Sequence, residues 1–178
     1  MGLRKLLKRD GKKTKKAAVF TGQGSQSLGM AAEIPGEIIN DLRRQTEMAL
    51  GDDLTSFLFY LISKDALAVQ GEEKQTLQQR LNQNAQLTTF ITSWGMWLRD
   101  RDAIGALDYV SGLSLGLYTA LCATKVAKFS ALVKIVKFRQ SSMNDASLLY
   151  DGGMTAVRGD VNRIEEKLFK KTSVRIAN

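Results

Sequence analysis

The sequence predicts an α/β fold, because short apolar segments alternate with helical patterns in three places. An apolar run at residues 17–20 leads into a glycine-rich loop and a helix, and the segment 107–110 leads into a second glycine-rich turn and another helix. Near the end of the chain, strands predicted at 154–157 and 174–177 enclose a helix predicted at 160–171. Strands that alternate with helices in this way are typical of α/β proteins.

The intervening sequence predicts helices, since apolar residues recur there at intervals of three and four. The first helix should cover residues 30–50, with Pro35 in its first turn, where the missing N–H group is not needed. We expect the strand at 17–21 to be buried. The remaining predicted segments are an apolar stretch at 54–62, helices at 72–82, 85–99 and 129–145, and a helix that starts at Ser114.

The turn at residues 112–116 has the sequence Gly-Leu-Ser-Leu-Gly, a Gly-x-Ser-x-Gly pattern between a strand and a helix. This context is that of a nucleophile elbow, in which a strained turn exposes the hydroxyl of Ser114. The flanking glycines leave room for close packing of the backbone, and the N–H of Leu115 faces outward at the start of a helix. A surface turn that happens to contain serine explains the pattern alone equally well.

The loop at residues 22–29 begins with Gly-Gln-Gly-Ser-Gln directly after the first strand. A strand that enters a glycine-rich loop and then a helix fits either a phosphate-binding loop or a plain turn. A Walker loop is excluded, because no Gly-Lys-Ser/Thr sequence follows.

Together, these two motifs resemble the malonyl-CoA:acyl-carrier-protein transacylase family. Its members open with a strand that ends in Phe-Pro-Gly-Gln-Gly-Ser-Gln, and they carry Gly-His-Ser-Leu-Gly-Glu-Tyr at the nucleophile. Segments 84–89, 132–143, 152–157 and 174–178 are similar to further motifs of the family in the family's order. The resemblance implies an incomplete α/β-hydrolase-like large subdomain at 17–149 and the first half of an inserted ferredoxin-like small subdomain at 150–178.

The resemblance also implies the roles of four residues in a malonyltransferase reaction. Ser114 corresponds to the nucleophile, and Gln23 and the N–H of Leu115 correspond to the oxyanion hole. Arg139 corresponds to the arginine that grips the free carboxylate of malonyl, a pairing suited to the planar guanidinium group. Without the resemblance, Arg139 is better interpreted as an exposed helix residue. The implied substrates are malonyl-CoA and the phosphopantetheine thiol of acyl carrier protein, with no metal and no bound cofactor.

Several departures from the family pattern concern the same site. The chain contains no histidine, the residue that serves as base in the family, and it has Leu113 and Leu117 where the family has histidine and glutamate. Gln140 replaces the glycine that follows the arginine. We therefore expect a transacylase chain truncated before its catalytic histidine. The alternatives are an inactive acyltransferase-like module that binds carrier protein or a synthase partner, and an unrelated serine hydrolase, which would leave Arg139 unexplained.

Charge is concentrated at the start of the 178-residue chain. Residues 1–16 hold eight basic residues and one acidic residue, a net +7, which leaves +1 for the other 162 residues. This basic segment predicts a disordered tail, and the nearly neutral remainder predicts no nucleic-acid face. No apolar run is long enough for a membrane span, so no integral membrane contact is expected. The single cysteine, Cys122, suits a reducing compartment and a core position, which indicates a cytoplasmic protein, with an organelle as the other option.

Overall fold

The computed structural model describes residues 14–149, so the basic residues before position 14 and the predicted strands and helix after 149 lie outside the described part. Of the described residues, 14–146 belong to one compact unit. Its two strands are β1 (Ala17–Phe20) and β2 (Tyr109–Gly112). Its helices are α1 (Gly36–Leu50), α2 (Asp52–Ile62), a 3-10 turn at Asp65–Leu67, α3 (Gly71–Gln83), α4 (Ala85–Ile104), α5 (Gly116–Ala123) and α6 (Phe129–Leu149).

The two strands pair in parallel, which confirms the predicted α/β fold. Ala17 lies opposite Tyr109, and Phe20 lies opposite Gly112. The start of the sheet is held by two residues that the sequence assigned to the basic tail. Lys15 donates to the hydroxyl of Tyr109 at 2.8 Å, and the N–H of Lys16 donates to the Asp108 carboxylate at 2.8 Å. The starts of β1 and β2 are thus fixed to each other.

The prediction that the first strand is buried was wrong. Val19 is 70% exposed, because within residues 14–149 only β2 pairs with β1 and only one face of the pair is covered. That covered face carries Phe20, whose ring packs edge-on against Trp97 of α4 with centroids 5.8 Å apart. The apolar composition of β1 therefore predicts more burial than the strand has within residues 14–149.

The prediction that a helix starts at residue 30 was also wrong, since α1 begins at Gly36. Residues 29–34 form successive turns, such as the hydrogen bond from Ile34 N–H to the Ala31 carbonyl at 3.0 Å. Pro35 disfavours helical backbone at the residue before it, and it stands at the N-cap of α1 instead of in its first turn. The predicted helices at 72–82, 85–99 and 129–145 are confirmed as α3, α4 and α6, and β2 begins two residues later than predicted.

The core lies among the helices. Leu42 of α1, Leu58 of α2 and Phe90 of α4 are fully buried, and the rings of Phe90 and Phe129 stack with centroids 5.3 Å apart. Cys122 belongs to the same apolar cluster, as the sequence predicted. The two strands and the turn between β2 and α5 therefore pack against a layer of helices with a buried apolar core.

Burial of Cys122 leads to a testable property of its thiol. Burial raises the pKa of this thiol to about 12, from an ordinary value of 9.0. The stability gained by keeping the thiol neutral is present below pH 9 and is lost as the pH rises toward 12. We expect a thiol-specific disulfide reagent to leave the folded chain unmodified at pH 8 and to react fully in denaturant. Rapid reaction of the folded chain would show that the core opens at this helix.

Within residues 14–149, no helix has the length and apolarity needed to cross a membrane. The same residues hold no group of three or more histidine, cysteine, aspartate or glutamate side chains that could bind a metal ion.

Candidate active site

The turn between β2 and α5 holds Ser114 in a left-handed conformation with φ of +50°. This conformation is uncommon for a residue other than glycine, and strained backbone of this kind concentrates at functional turns. Two hydrogen bonds close the turn, from Gly116 N–H to the Leu113 carbonyl at 2.8 Å and from Leu117 N–H to the Ser114 carbonyl at 3.1 Å. The serine side chain is exposed. This is the geometry that the sequence predicted for an elbow.

The two glycines of the motif are required by close backbone contacts. A Cβ atom at Gly112 would lie 2.1 Å from the carbonyl carbon of Gly116. One at Gly116 would lie 2.2 Å from the carbonyl oxygen of Phe20. Both distances are to backbone, which cannot move aside as a side chain can. The start of α5 therefore lies directly against both strands, as expected from the Gly-x-Ser-x-Gly pattern.

The loop after β1 lies against the same turn. The N–H of Leu113 donates to the Phe20 carbonyl at 3.1 Å, and a Cβ atom at Gly22 would lie 2.9 Å from the Leu113 carbonyl oxygen. Gln23 follows Gly22 and is exposed. The structure thus brings the Gly-Gln-Gly-Ser-Gln loop to the turn that holds Ser114, although the two motifs are about ninety residues apart in sequence.

Leu115 occupies the N-cap position of α5 and is buried, with only 1% of its surface exposed. Its N–H takes no part in the hydrogen bonds that close the turn, which come from Gly116 and Leu117. An N–H at the start of a helix that is left out of the turn is the kind of donor that can stabilise a developing oxyanion.

Arg139 of α6 contacts the hydroxyl of Ser114. Its Nη2 donates to Ser114 Oγ at 3.2 Å, and its Nη1 donates to the side-chain oxygen of Gln86. The guanidinium group is half-buried, and it carries no ion pair within the part of the chain that the structure describes. A cation beside the hydroxyl, with no carboxylate to neutralise it, is suited to an anionic ligand.

The sequence assigned no role to a second layer of polar side chains behind Arg139. Gln86 is 2% exposed, and its amide nitrogen donates to the sulfur of Met143 at 3.2 Å. Gln140, 3% exposed, contacts Asn84 and the backbone of Leu87. For Gln86, the available signal was an amide side chain in a mainly apolar helical segment, because such a group is buried only when hydrogen-bonded. Gln140 gave no such signal, since Arg139 and Ser141 are its neighbours in sequence.

Two exposed leucines flank the serine. Leu113 is 73% exposed and Leu117 is 52% exposed. They place apolar surface on both sides of Ser114, at the two positions of the turn and the start of α5 where the sequence departs from the family pattern. The side chains at these positions therefore leave the serine without the polar neighbours that the pattern would supply.

The described residues supply a hydroxyl and a cation but no proton acceptor for the hydroxyl. Between residues 14 and 149, the hydrogen-bond partner of Ser114 Oγ is Arg139, whose guanidinium can only donate. An unassisted serine hydroxyl is a weak nucleophile at neutral pH. The guanidinium can bind an anionic group beside the hydroxyl, and efficient attack by the hydroxyl would need a base that the contacts of Ser114 within residues 14–149 do not include.

Fold and site together define an α/β protein with an elbow-type serine turn and an adjacent arginine. No family model matches the chain. The malonyl CoA-acyl carrier protein transacylase of Salmonella typhimurium is 34% identical over 148 residues, 82% of this chain and 44% of that protein. The transacylase of the same name from Synechocystis is 33% identical over 167 residues, 92% of this chain and 51% of that protein.

A solved structure extends the similarity to the fold. The crystal structure of the Synechocystis malonyl-CoA:ACP transacylase matches with a TM-score of 0.63 at 28% identity, over 89% of this chain and 49% of that one. The chain is a relative of the malonyl-CoA:acyl-carrier-protein transacylases and matches the N-terminal part of that family, so the resemblance found in the sequence is confirmed. It spans about half the length of the relatives that it matches.

Proposed function

We propose that this chain is the N-terminal part of a malonyl-CoA:acyl-carrier-protein S-malonyltransferase that works through a serine ester on Ser114. The observation that carries the proposal is the 3.2 Å hydrogen bond between Arg139 Nη2 and Ser114 Oγ. It sets a guanidinium, a group suited to pairing with carboxylates, beside a strained, exposed hydroxyl. An acyl group with a free carboxylate, such as malonyl, could then bind to the arginine while its thioester carbonyl lies at the serine.

The proposed reaction has two displacements. Ser114 Oγ attacks the thioester carbon of malonyl-CoA, a C–O bond replaces the C–S bond, and coenzyme A leaves with a proton as the free thiol. The phosphopantetheine thiol of acyl carrier protein then attacks the ester, which transfers malonyl to sulfur and returns the proton to the serine oxygen. In both steps Gln23 and the N–H of Leu115 would stabilise the oxyanion, the term that typically contributes most to acyl transfer.

The base is the part of the proposal that has no candidate in this chain. The family's base is a histidine and this chain has none, so in this proposal another part of the enzyme would accept the serine proton. The proposal includes the family's architecture, with residues 17–149 as part of a hydrolase-like large subdomain and 150–178 as the first half of a ferredoxin-like insertion. It also places the protein in the cytoplasm.

A second function is favoured by the surface around the serine. The missing histidine and the exposed Leu113 and Leu117 fit an inactive acyltransferase-like module that binds carrier protein or a synthase partner. Such a module would retain the fold and lose the chemistry. One experiment, described next, distinguishes the transferase from the binding module.

We expect the chain to acquire malonyl slowly on Ser114 and not to turn over at a useful rate. General-base assistance is typically worth about 10²–10⁴-fold, and the histidine that supplies it in the family is absent from this chain. The chain is incubated with malonyl-CoA and carrier protein, and the intact masses of both proteins are followed. Ser114→Ala should remove the label, whereas Ser111→Ala, which changes a nearby exposed serine on β2, should leave it in place.

The other outcomes of this experiment are decisive too. Rapid, repeated malonylation of the carrier that depends on Ser114 would show that a base exists within the chain. A complete absence of label, together with a stable complex between the chain and carrier protein, would favour the binding module over the transferase.

A further inference from the structure

Gln140 of α6 is a buried amide whose two ends both bond to the start of α4. Its Oε1 accepts a hydrogen bond from the N–H of Leu87 at 3.3 Å, and its Nε2 donates to Oδ1 of Asn84 at 3.2 Å. The side chain is 3% exposed. A long polar side chain is buried to this extent only where both ends of its amide are satisfied.

The bond to the Leu87 N–H performs a task that normally falls to the cap of a helix. The first N–H groups of a helix have no partner inside the helix, and Leu87 carries one of them. Asn84 stands at the N-cap of α4, but its side chain caps no N–H of that helix and instead donates to the Arg80 carbonyl at 2.9 Å. Gln140 therefore caps α4 from a different helix.

The link between the helices lies directly beside the arginine of the site. Gln140 holds residues 84 and 87, and Gln86, which lies between them, accepts a hydrogen bond from Arg139. Two neighbouring residues of α6 thus grip the same turn of α4. Of these two residues, Arg139 also donates a hydrogen bond to Ser114 Oγ.

We propose that Gln140 is a positioning residue, which fixes α6 against the first turn of α4 so that the Arg139 guanidinium is held at Ser114. The inference rests on the proposed function in one respect, namely that Arg139 binds the carboxylate of the acyl group. In the family that the sequence resembles, this position is a glycine, so the link belongs to this chain and not to the general family pattern. With glycine here, the bonds to Asn84 and Leu87 would be lost, and those of Gln86 to Arg139 and Met143 would remain.

The test observes the arginine itself. In the isotope-labelled full chain, nuclear magnetic resonance should show separate signals for the two Nη groups of Arg139, because hydrogen bonds to Gln86 and Ser114 slow their exchange. Arg139→Lys identifies the signals. Gln140→Met fills a similar volume without the hydrogen bonds, and it should merge the two signals. Gln45→Met is the matched control, since Gln45 also bonds through its amide, to Asp41 of its own helix.

A purely structural role for Gln140 would lower the melting temperature without moving these signals, so separate signals in folded Gln140→Met would overturn the proposal. If that variant does not fold, Asn84→Ala removes one of the two bonds and decides the matter. The Arg139 signals should then draw together, and an unchanged spectrum would again overturn the proposal.

Free malonate is the probe that separates this inference from the proposed function. It should shift the Arg139 signals in the wild-type chain, with affinity about five- to tenfold weaker in Gln140→Met, the equivalent of one net hydrogen bond. A wild-type chain that does not respond to malonate would refute the carboxylate-binding role of Arg139. The positioning role of Gln140 would still be tested by the change in the Arg139 signals between wild type and Gln140→Met, which does not depend on malonate.

Discussion

Replacement of Gly116 by alanine is expected to destabilise the chain by about 3 kcal/mol or more, since overpacking against immobile atoms is costly. The added methyl group would lie 2.2 Å from the carbonyl oxygen of Phe20 and 2.9 Å from that of Thr21. To relieve the contact, α5 would have to move away from β1, and the turn that holds Ser114 would move with it. Urea unfolding followed by circular dichroism measures the loss.

Gly36→Ala is the matched control for this prediction. A Cβ atom at Gly36 meets no atom within 4 Å, and the residue is the first of α1. Alanine is a better helix former than glycine by up to about 1 kcal/mol, so this variant should be equal in stability to the wild type or slightly more stable. If Gly116→Ala unfolds at the same urea concentration as Gly36→Ala, then the close contact of α5 with β1 is not present in solution.

Arg139→Ala is expected to lower the rate of malonyl labelling of Ser114 far more than the rate of acetyl labelling. Malonyl has a free carboxylate and acetyl does not, and the loss of a charged partner for a carboxylate costs about 2–5 kcal/mol. The measurement is the initial rate at which the intact mass of the chain increases with malonyl-CoA and, separately, with acetyl-CoA. Such a preference would assign the acyl specificity of the site to this one side chain.

Lys134→Ala provides the comparison, because Lys134 is an exposed cation on the same helix that forms no ion pair within residues 14–149. It should leave both rates unchanged. Equal losses for malonyl and acetyl in Arg139→Ala would mean that the arginine supports the fold of the site and does not select its substrate.

The turn around Ser114 could be predicted from the sequence because its requirements are local. A serine with left-handed backbone in a turn this tightly packed requires a residue without a Cβ atom two positions before it and two positions after it. Gly112 and Gly116 are those residues. The proximity of Arg139 to Ser114 could be predicted only through family resemblance, because a spacing of 25 residues between a turn residue and a helix residue does not fix their distance in space.

Two of the features that the sequence did not predict, the exposure of Val19 and the burial of Gln86 and Gln140, depend on contacts between distant segments. The exposure of Val19 depends on which strands lie beside β1, and an apolar strand of four residues does not reveal its neighbours. The late start of α1 was a local error, because Pro35 already disfavours helix at Ile34. The burial of Gln86 and Gln140 follows from the packing of α4 against α6, which the periodicity of either helix alone does not show.

The parallel pairing of β1 with β2 also bears on the order in which the chain folds. Lys16 and Asp108, at the entrance to the sheet, are 92 residues apart, whereas each helix forms from contacts within its own segment. The entropy of loop closure makes such distant contacts slow to form, so we expect the helical layer to assemble before the sheet. Because the Ser114 turn is held against the Phe20 carbonyl, its geometry would be completed among the last events of folding. Premature arrest of folding would then leave a compact helical chain without a formed site.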